Sequence, residues 1–217
     1  HKGVFPIRRK LFQTVRQHCH IPGILLFPGR TAAQKQPHAP KTHEPVRGVW
    51  LTTVSRLDWP PVASVTTGDP ALRIRQQQKA LTDKLDKLQS LGINTVFFQV
   101  KPDGTALWPS KILPWSDMLT GHIGQDPGYD PLQFMLDEAH KRGMKVHAWF
   151  NPYRVSTNTK PSTIAALNRT SYQQPSSVYV QHPEWVRIAG DRFVLDPGIP
   201  EVRDWITRVV TEVVANY

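Results

Sequence analysis

The sequence contains a single cysteine, Cys19, among its 217 residues. One cysteine cannot form an intrachain disulfide, so a disulfide-stapled fold is excluded. No apolar run approaches the roughly 18–20 residues needed to cross a bilayer, so no transmembrane helix is predicted. The sequence also lacks an HExxH zinc motif, paired cysteines and the Gly-x-Ser-x-Gly turn of serine hydrolases. These absences count against zinc enzymes and serine hydrolases, and we predict neither a bound metal nor a cofactor.

Acidic residues are also scarce, and the shortage is concentrated at one end of the chain. The whole sequence has 27 Lys and Arg against 17 Asp and Glu, a net charge of +10. Residues 1–45 hold eight of the bases and one acid, Glu44, so this segment alone carries +7. We interpret residues 1–45 as a basic, flexible lead-in, either a degenerate signal sequence or an unrelated segment. It lacks the interleaved aromatics typical of nucleic-acid binding, so no nucleic-acid partner is predicted.

Residues 46–217 carry all seven tryptophans and show a regular alternation of strand-like and helix-like patterns. The strand-like runs are 47–54, 93–100 and 144–150, with a shorter run at 192–195. Two helices are predicted to begin at the aspartates of Asp-Pro pairs, Asp69 and Asp130, and to end at Gly92 and Gly143. A further helix is predicted to begin at Pro200. Strands that alternate with helices are typical of a parallel sheet with right-handed crossovers.

Two architectures built from parallel strands compete, a doubly wound open sheet and a (β/α)8 barrel. No glycine-rich phosphate-binding turn follows any strand, which disfavours a nucleotide-binding open sheet. The long loops follow the carboxyl ends of the strands, where a barrel has its active site. A barrel takes about 250 residues, and only three clear strands are present. We predict an α/β fold, the N-terminal portion of a TIM-type (β/α)8 barrel with about three to four βα units. Such a piece is expected to be marginally stable or to self-associate.

Polar and aromatic side chains follow the predicted strands directly. The candidates for substrate contact are Gln99, Lys101, Asp103, Trp108, Asn151, Tyr153 and Asp196. Aromatic rings stack on the apolar faces of sugars, while amides and carboxylates hydrogen-bond their hydroxyls, so this set indicates a saccharide ligand. Asp103 and Asn151 stand out because they lie in loops longer than a turn requires. Asp196 is followed by Pro197 and Gly198, so a simple turn before the last helix is an alternative for that residue.

Four long segments resemble the glycosyl-hydrolase-like 10 family, and in particular its bacterial envelope lipoprotein members. They are RGVWLTTVSRLDWPP (47–61), LGINTVFFQVKPDGTALWPSKILPWSDMLTG (91–121), DPGYDPLQFMLDEAHKRGMKVHAWFNPYRV (126–155) and FVLDPGIPEVRDWI (193–206). They occur in the order found in the family and cover about residues 46–217. The resemblance implies a TIM-type barrel in the bacterial cell envelope, in the periplasm or at the outer membrane. It also implies hydrolysis of peptidoglycan glycan strands, or of a related polysaccharide, by carboxylate acid/base chemistry.

The resemblance also implies roles for particular residues. Asp103 would be a catalytic carboxyl, and the substrate cleft would also be lined by Gln99, Lys101, Asn151, Tyr153 and Asp196. Family members continue into a fourth strand with an acidic motif of the type DGVQFDDYF, which this sequence does not contain. We therefore expect an N-terminal part of a glycoside hydrolase that is inactive alone. The alternative is a non-catalytic glycan-binding module of the envelope.

Partners and location are implied by the same resemblance. It leaves open a membrane association through the N-terminus and a partnership with the cell-division machinery. The lead-in gives no convincing lipidation signal, because Arg16, Gln17 and His18 precede Cys19 where a lipobox has small and apolar residues.

Overall fold

The structure is a computed structural model that describes residues 44–217. The lead-in predicted for residues 1–45 therefore lies almost wholly outside the described residues. The helices are α1 (Val62–Thr66), α2 (Pro70–Ser90), α3 (Asp117–Thr120), α4 (Pro131–Lys141), α5 (Pro161–Arg169), α6 (Val178–Gln181) and α7 (Pro200–Asn216). The strands are β1 (Gly48–Leu51), β2 (Thr95–Lys101), β3 (Lys145–Phe150), β4 (Val186–Ala189) and β5 (Arg192–Leu195). No helix among the described residues is both long and apolar enough to cross a membrane.

The central sheet has three parallel strands in the order β1-β2-β3. Gly48 lies beside Thr95, and Thr95 lies beside Lys145 on its other side, so the three strands begin in register. The register of β2 and β3 shifts between Gln99 and Lys101, which marks a bulge at the carboxyl end of β2. The mixed α/β class with parallel strands is thus confirmed. The barrel from which these strands would come stays a prediction.

The predicted helix ends are confirmed at the two Asp-Pro pairs. The Asp69 carboxylate accepts a hydrogen bond from the backbone N–H of Ala71 at 2.9 Å, at the start of α2. Asp130 accepts one from the backbone N–H of Gln133 at 3.0 Å, at the start of α4. These bonds satisfy N–H groups that have no partner inside the helix.

The second sheet is an antiparallel hairpin of β4 and β5, which turns at Gly190 with a φ of 61°. The sequence predicted β5, and it missed the short strand β4. The hairpin is joined to the segment after β3 by an antiparallel bridge between Arg154 and Val194. The backbone N–H of Leu195 also donates to the carbonyl oxygen of Tyr153 at 2.8 Å. The hairpin is therefore fixed beside the carboxyl end of β3.

The two faces of the parallel sheet have different surroundings. On the helix-covered side Val96, Phe98 and Val100 of β2 are fully buried in the core. On the other side, Trp50 and Phe97 stack with ring centroids 4.5 Å apart, and Phe97 stacks on His147 at 5.0 Å. Trp50 is 59% exposed, so within the described residues this aromatic face is not covered.

Candidate functional site

The carboxyl ends of β2 and β3 bring Gln99 and Asn151 together. Gln99 is buried, and its Oε1 accepts hydrogen bonds from the backbone N–H groups of Thr53 and Val54, each at 2.8 Å. Its Nε2 donates to Oδ1 of Asn151 at 2.6 Å. The Gln99 side chain thus links all three strand ends and its oxygen has no capacity left for a ligand, whereas the Nδ2 hydrogens of Asn151 are accepted by no described residue.

Lys101 ends β2 with its ammonium group inside the protein. Its Nζ donates to the carbonyl oxygens of Asp103 at 2.7 Å, Asn151 at 2.9 Å and Pro152 at 3.1 Å. An ammonium group has three hydrogens, so these three bonds use all of them. Burial lowers the pKa of Lys101 to about 7, and the negative charge of Asp103 opposes this shift. Lys101 therefore links two loops, and none of its ammonium hydrogens remains for a hydrogen bond to a substrate.

Asp103 lies in the loop after β2 and is 7% exposed. Its Oδ1 accepts hydrogen bonds from the hydroxyl of Thr105 at 2.6 Å and from the backbone N–H of Thr105 at 3.0 Å. Burial raises the pKa of Asp103 to about 6, and the negative charge of Asp117 raises it in the same direction. Asp103 is therefore a carboxyl group that holds a proton closer to neutral pH than an exposed aspartate does.

A cleft of about 220 Å³ has Asp103 and Asp117 in its wall. Burial raises the pKa of Asp117, and the nearby guanidinium of Arg56 opposes that rise. The polar side chains that complete the lining are Thr105, Ser156, Thr157, Asn158, Ser162 and Thr163. Hydroxyl and amide groups of this kind hydrogen-bond polyols. The cleft therefore combines two carboxyl groups with a lining suited to a saccharide.

A second, more open groove of about 310 Å³ lies between the loop after β3 and the hairpin. It is lined by Asn151, Tyr153, Arg154 and Arg192, with parts of Pro152, Ala189 and Val194. Two of the predicted substrate contacts, Asn151 and Tyr153, thus share one surface. Asp103 belongs to the first cleft, so the structure divides the predicted residues between two neighbouring loops of the same sheet edge.

Trp108 and Asp196, like Gln99 and Lys101, lie outside both clefts. Trp108 is 1% exposed, and its Nε1 donates to Glu212 of α7 at 2.9 Å, so its ring faces are enclosed by the core. Asp196 accepts a hydrogen bond from the backbone N–H of Gly198 at 2.8 Å and pairs with Arg187 at 3.3 Å. These bonds are those of the turn that the sequence offered as the alternative for Asp196.

A family model described as glycosyl hydrolase-like 10 matches residues 45–217. The chain belongs to the glycosyl hydrolase-like 10 family. The family's description agrees with the hydroxyl-lined cleft and with its two carboxyl groups. Within residues 44–217 no three His, Cys, Asp or Glu side chains are grouped as a metal site would require.

Relatives within this family have been named in several bacteria. A protein named glycosyl hydrolase DigH from Escherichia coli K12 is 75% identical over 177 residues, which are 82% of this chain and 40% of that relative. Its namesake from Shigella flexneri matches to the same extent. A protein named glycosyl hydrolase YngK from Bacillus subtilis 168 is 41% identical over 172 residues, 79% of this chain and 31% of that relative. The chain thus spans 40% or less of the length of these relatives.

Two residues that line the clefts of this glycosyl hydrolase-like 10 chain, Asp117 and Arg192, were not predicted from the sequence. Asp117 follows Ser116, whose hydroxyl caps α3 by accepting from the backbone N–H of Met118 at 3.2 Å. A Ser-Asp pair before a short helix is typical of a cap, so nothing in the pattern distinguished Asp117 from a helix-start residue. Arg192 could be placed only once the hairpin was known, because its neighbour Arg154 is 38 positions earlier in the chain.

Proposed function

We propose that the chain is the N-terminal part of a glycoside hydrolase that cleaves peptidoglycan glycan strands or a related polysaccharide. The observation that carries this proposal is the cleft in which the buried carboxyl of Asp103, with a pKa of about 6, faces a lining of hydroxyl groups. Family membership supports the reaction class. The peptidoglycan substrate rests on the likeness to the family and is the part that experiment must decide.

The chemistry of the proposed reaction assigns Asp103 the role of proton donor. Glycosidic bonds break when a carboxylic acid protonates the leaving oxygen while a second carboxylate acts as base or nucleophile. An acid is effective near neutral pH only when its environment raises its pKa, as burial and Asp117 do for Asp103. The second carboxylate is expected in the acidic fourth-strand motif of family members, so residues 1–217 alone are expected to be inactive.

The architecture that we propose is the first three or four βα units of a TIM-type barrel. Three parallel strands with helices on one side support this proposal, and so does the uncovered aromatic face of Trp50, Phe97 and His147. In a barrel that face points inward and is covered by the remaining strands. The site residues would then lie at the carboxyl ends of the strands, where barrels carry out their chemistry.

The place of action that we propose is the bacterial cell envelope, since the proposed polymer is found there. A membrane association through the N-terminus and a partnership with the cell-division machinery are parts of the same proposal. Their support is the resemblance to envelope lipoprotein members of the family.

The deciding experiment compares this chain with a chimaera in which residues 45–217 are continued by the remainder of the Escherichia coli relative. Release of reducing ends from purified glycan strands is expected from the chimaera and not from the 217-residue chain. Asp103→Asn in the chimaera is expected to reduce the rate by at least about 100-fold. The matched control, Asp204→Asn on the exposed side of α7, should leave the rate unchanged.

Three outcomes would each overturn a part of this proposal. Hydrolysis by the 217-residue chain would contradict the need for a later carboxylate. A chimaera that binds glycan strands but never cleaves them would favour the alternative, a non-catalytic glycan-binding module. Full activity of the Asp103→Asn chimaera would remove Asp103 from the chemistry while leaving the reaction class intact.

A further inference from the structure

The groove at the carboxyl end of β3 brings two guanidinium groups together. Arg154 follows β3, and the antiparallel bridge to Val194 holds its backbone against β5. Arg192 begins β5, and both arginines line the same groove of about 310 Å³. Their proximity follows from the way the hairpin folds back onto the end of the sheet.

The charges of these two arginines are poorly compensated by the described residues. Arg154 forms no ion pair with a described carboxylate, and its Nη1 donates only to the carbonyl oxygen of Pro102 at 3.3 Å. Arg192 approaches just its own neighbour Asp191, at 3.6 Å, and Asp191 is 81% exposed on its side chain. Burial lowers the pKa of Arg154 and the like charge of Arg192 lowers it further, while the negative charge of Asp103 opposes this shift without pairing with the guanidinium. An arrangement of this kind is stabilised when an anion enters.

We propose that the groove lined by Asn151, Tyr153, Arg154 and Arg192 binds the carboxylate of an acidic sugar in the glycan. This inference rests on the proposed function and adds the chemical class of the sugar that the site selects. Planar guanidinium groups bind carboxylates through paired, charge-assisted hydrogen bonds, which gives a geometric preference as well as an attraction.

The neighbouring residues supply the neutral part of the recognition. Gln99 holds Oδ1 of Asn151, so the Asn151 amide is fixed and its Nδ2 hydrogens remain for a sugar hydroxyl or acetamido oxygen. The half-buried ring of Tyr153 offers an apolar surface on which a pyranose can pack. The groove thus combines an apolar surface with polar groups, as saccharide sites do. A neutral sugar would leave the two guanidinium groups at its positive end without a counter-charge.

The test measures binding of the whole 217-residue chain to two matched probes at low salt. One probe is peptidoglycan glycan strands with free sugar carboxylates, and the other is the same strands with those carboxylates converted to methyl esters. We expect binding at least about tenfold tighter for the free carboxylates, because esterification removes the charge-assisted bonds. Arg154→Gln and Arg192→Gln should each weaken binding of the free form about tenfold and leave the esterified form unchanged.

A matched control is Arg208→Gln, which removes the same charge from an exposed position of α7 and should change neither affinity. Arg154→Lys keeps the charge and loses the planar guanidinium group, so it should weaken binding less than Arg154→Gln. It replaces the glutamine variant if that variant unfolds. Thermal unfolding of each variant shows whether it is folded.

The results distinguish failure of the carboxylate site from failure of the proposed hydrolase function. Equal affinity of the chain for free and esterified strands would overturn the carboxylate site and leave the hydrolase proposal standing. Loss of affinity for both probes to the same extent in Arg154→Gln would also overturn it, since a merely structural role would produce that pattern. If the chain binds neither probe the inference fails, and cleavage by the chimaera then decides the hydrolase proposal by itself.

Discussion

Gln99 donates a hydrogen bond from Nε2 to Oδ1 of Asn151 at 2.6 Å, which joins the carboxyl end of β2 to that of β3. The same Gln99 side chain accepts two backbone hydrogen bonds from the end of β1. One buried amide therefore fixes the relative positions of three strand ends and orients the Asn151 amide. Gln99, which was predicted to contact substrate, thus acts as a positioning residue for Asn151.

Replacing Gln99 with leucine is expected to destabilise the fold. The substitution removes three hydrogen bonds and leaves the buried N–H groups of Thr53 and Val54 without their acceptor. We expect the free energy of unfolding to fall by about 2–4 kcal/mol, measured by urea denaturation. Gln89→Leu at the exposed end of α2 is the control and should change it by less than about 0.5 kcal/mol. Equal effects of the two substitutions would contradict this role of Gln99.

The pH dependence of stability should report the protonation of Asp103. Its pKa is raised to about 6 in the folded chain, so the proton-bound form is favoured by folding. Its contribution to stability is therefore fully present below about pH 4 and is lost as the pH rises to about 6. In Asp103→Asn this loss is absent, and Thr105 keeps an acceptor for both of its hydrogen bonds.

The measurement is the difference in unfolding free energy between Asp103→Asn and the unsubstituted chain at several pH values. We expect this difference to shift in favour of the variant by on the order of 2 kcal/mol between pH 4 and pH 7. The charged groups around the carboxyl, which are Asp117, Lys101 and Arg154, are present in both proteins. Asp103→Asn also removes the charge that raises the pKa of Lys101, and the further fall of that pKa shifts the difference in the same direction. Asp204→Asn on exposed α7 should give a nearly flat difference, and a flat difference for Asp103→Asn would contradict the raised pKa.

The parts of the fold that the sequence predicted are those set by local chemistry. Asp69 and Asp130 cap their helices within three residues of the chain, and the run at 93–100 is apolar because most side chains of the strand that it forms are buried. Local patterns are legible when the partner of a residue lies nearby in sequence.

The surroundings of several other residues depend on partners that are distant in sequence. The indole of Trp108 meets Glu212, 104 positions later, and this contact encloses a ring that an isolated loop would leave exposed. Two of the three carbonyl oxygens that accept from Lys101 lie about 50 positions away in the chain, and together with that of Asp103 they use all the hydrogens of its ammonium group. Asp117 shares the cleft with Asp103 because two loops fold together, and the spacing of the two residues in the sequence does not predict that they meet.

Glu212 is expected to be one of the main links between α7 and the loop after β2. Its carboxylate accepts hydrogen bonds from Trp108 Nε1 at 2.9 Å, from the hydroxyl of Ser110 at 2.5 Å and from the backbone N–H of Lys111 at 2.7 Å. Glu212→Gln keeps the shape but offers a single acceptor oxygen and loses the charge. We expect a loss of about 2–3 kcal/mol in unfolding free energy, and increased exposure of Trp108 to a fluorescence quencher.

The control for this link is Glu201→Gln in the first turn of α7. That residue is exposed, and its contribution through the helix dipole is expected to be below about 1 kcal/mol. If quenching of tryptophan fluorescence and stability were unchanged in Glu212→Gln, the three hydrogen bonds would not be holding the loop.

Trp50→Lys, a substitution on the aromatic face of the parallel sheet, is expected to have different effects in the 217-residue chain and in the chimaera. Trp50 is 59% exposed and stacks on Phe97, so no residue between 44 and 217 covers this face, and we expect it to associate with a second copy of the 217-residue chain. Trp50→Lys is expected to reduce that self-association in sedimentation velocity, with little change in unfolding free energy. Tyr172→Lys, at an exposed ring elsewhere, should leave association unchanged.

In the chimaera the same Trp50→Lys substitution should behave differently if the sheet is the beginning of a barrel. The later strands would cover the face, so the substitution would bury an ammonium group among Phe97 and His147, which stack there. Unfolding free energy is then expected to fall by more than about 3 kcal/mol. A monomeric 217-residue chain would contradict association through this face, and a small effect in the chimaera would contradict a barrel. Self-association of the chain and unfolding free energy of the chimaera together distinguish two cases. In one case the aromatic face is exposed in both proteins, and in the other the later strands of a barrel cover it in the chimaera.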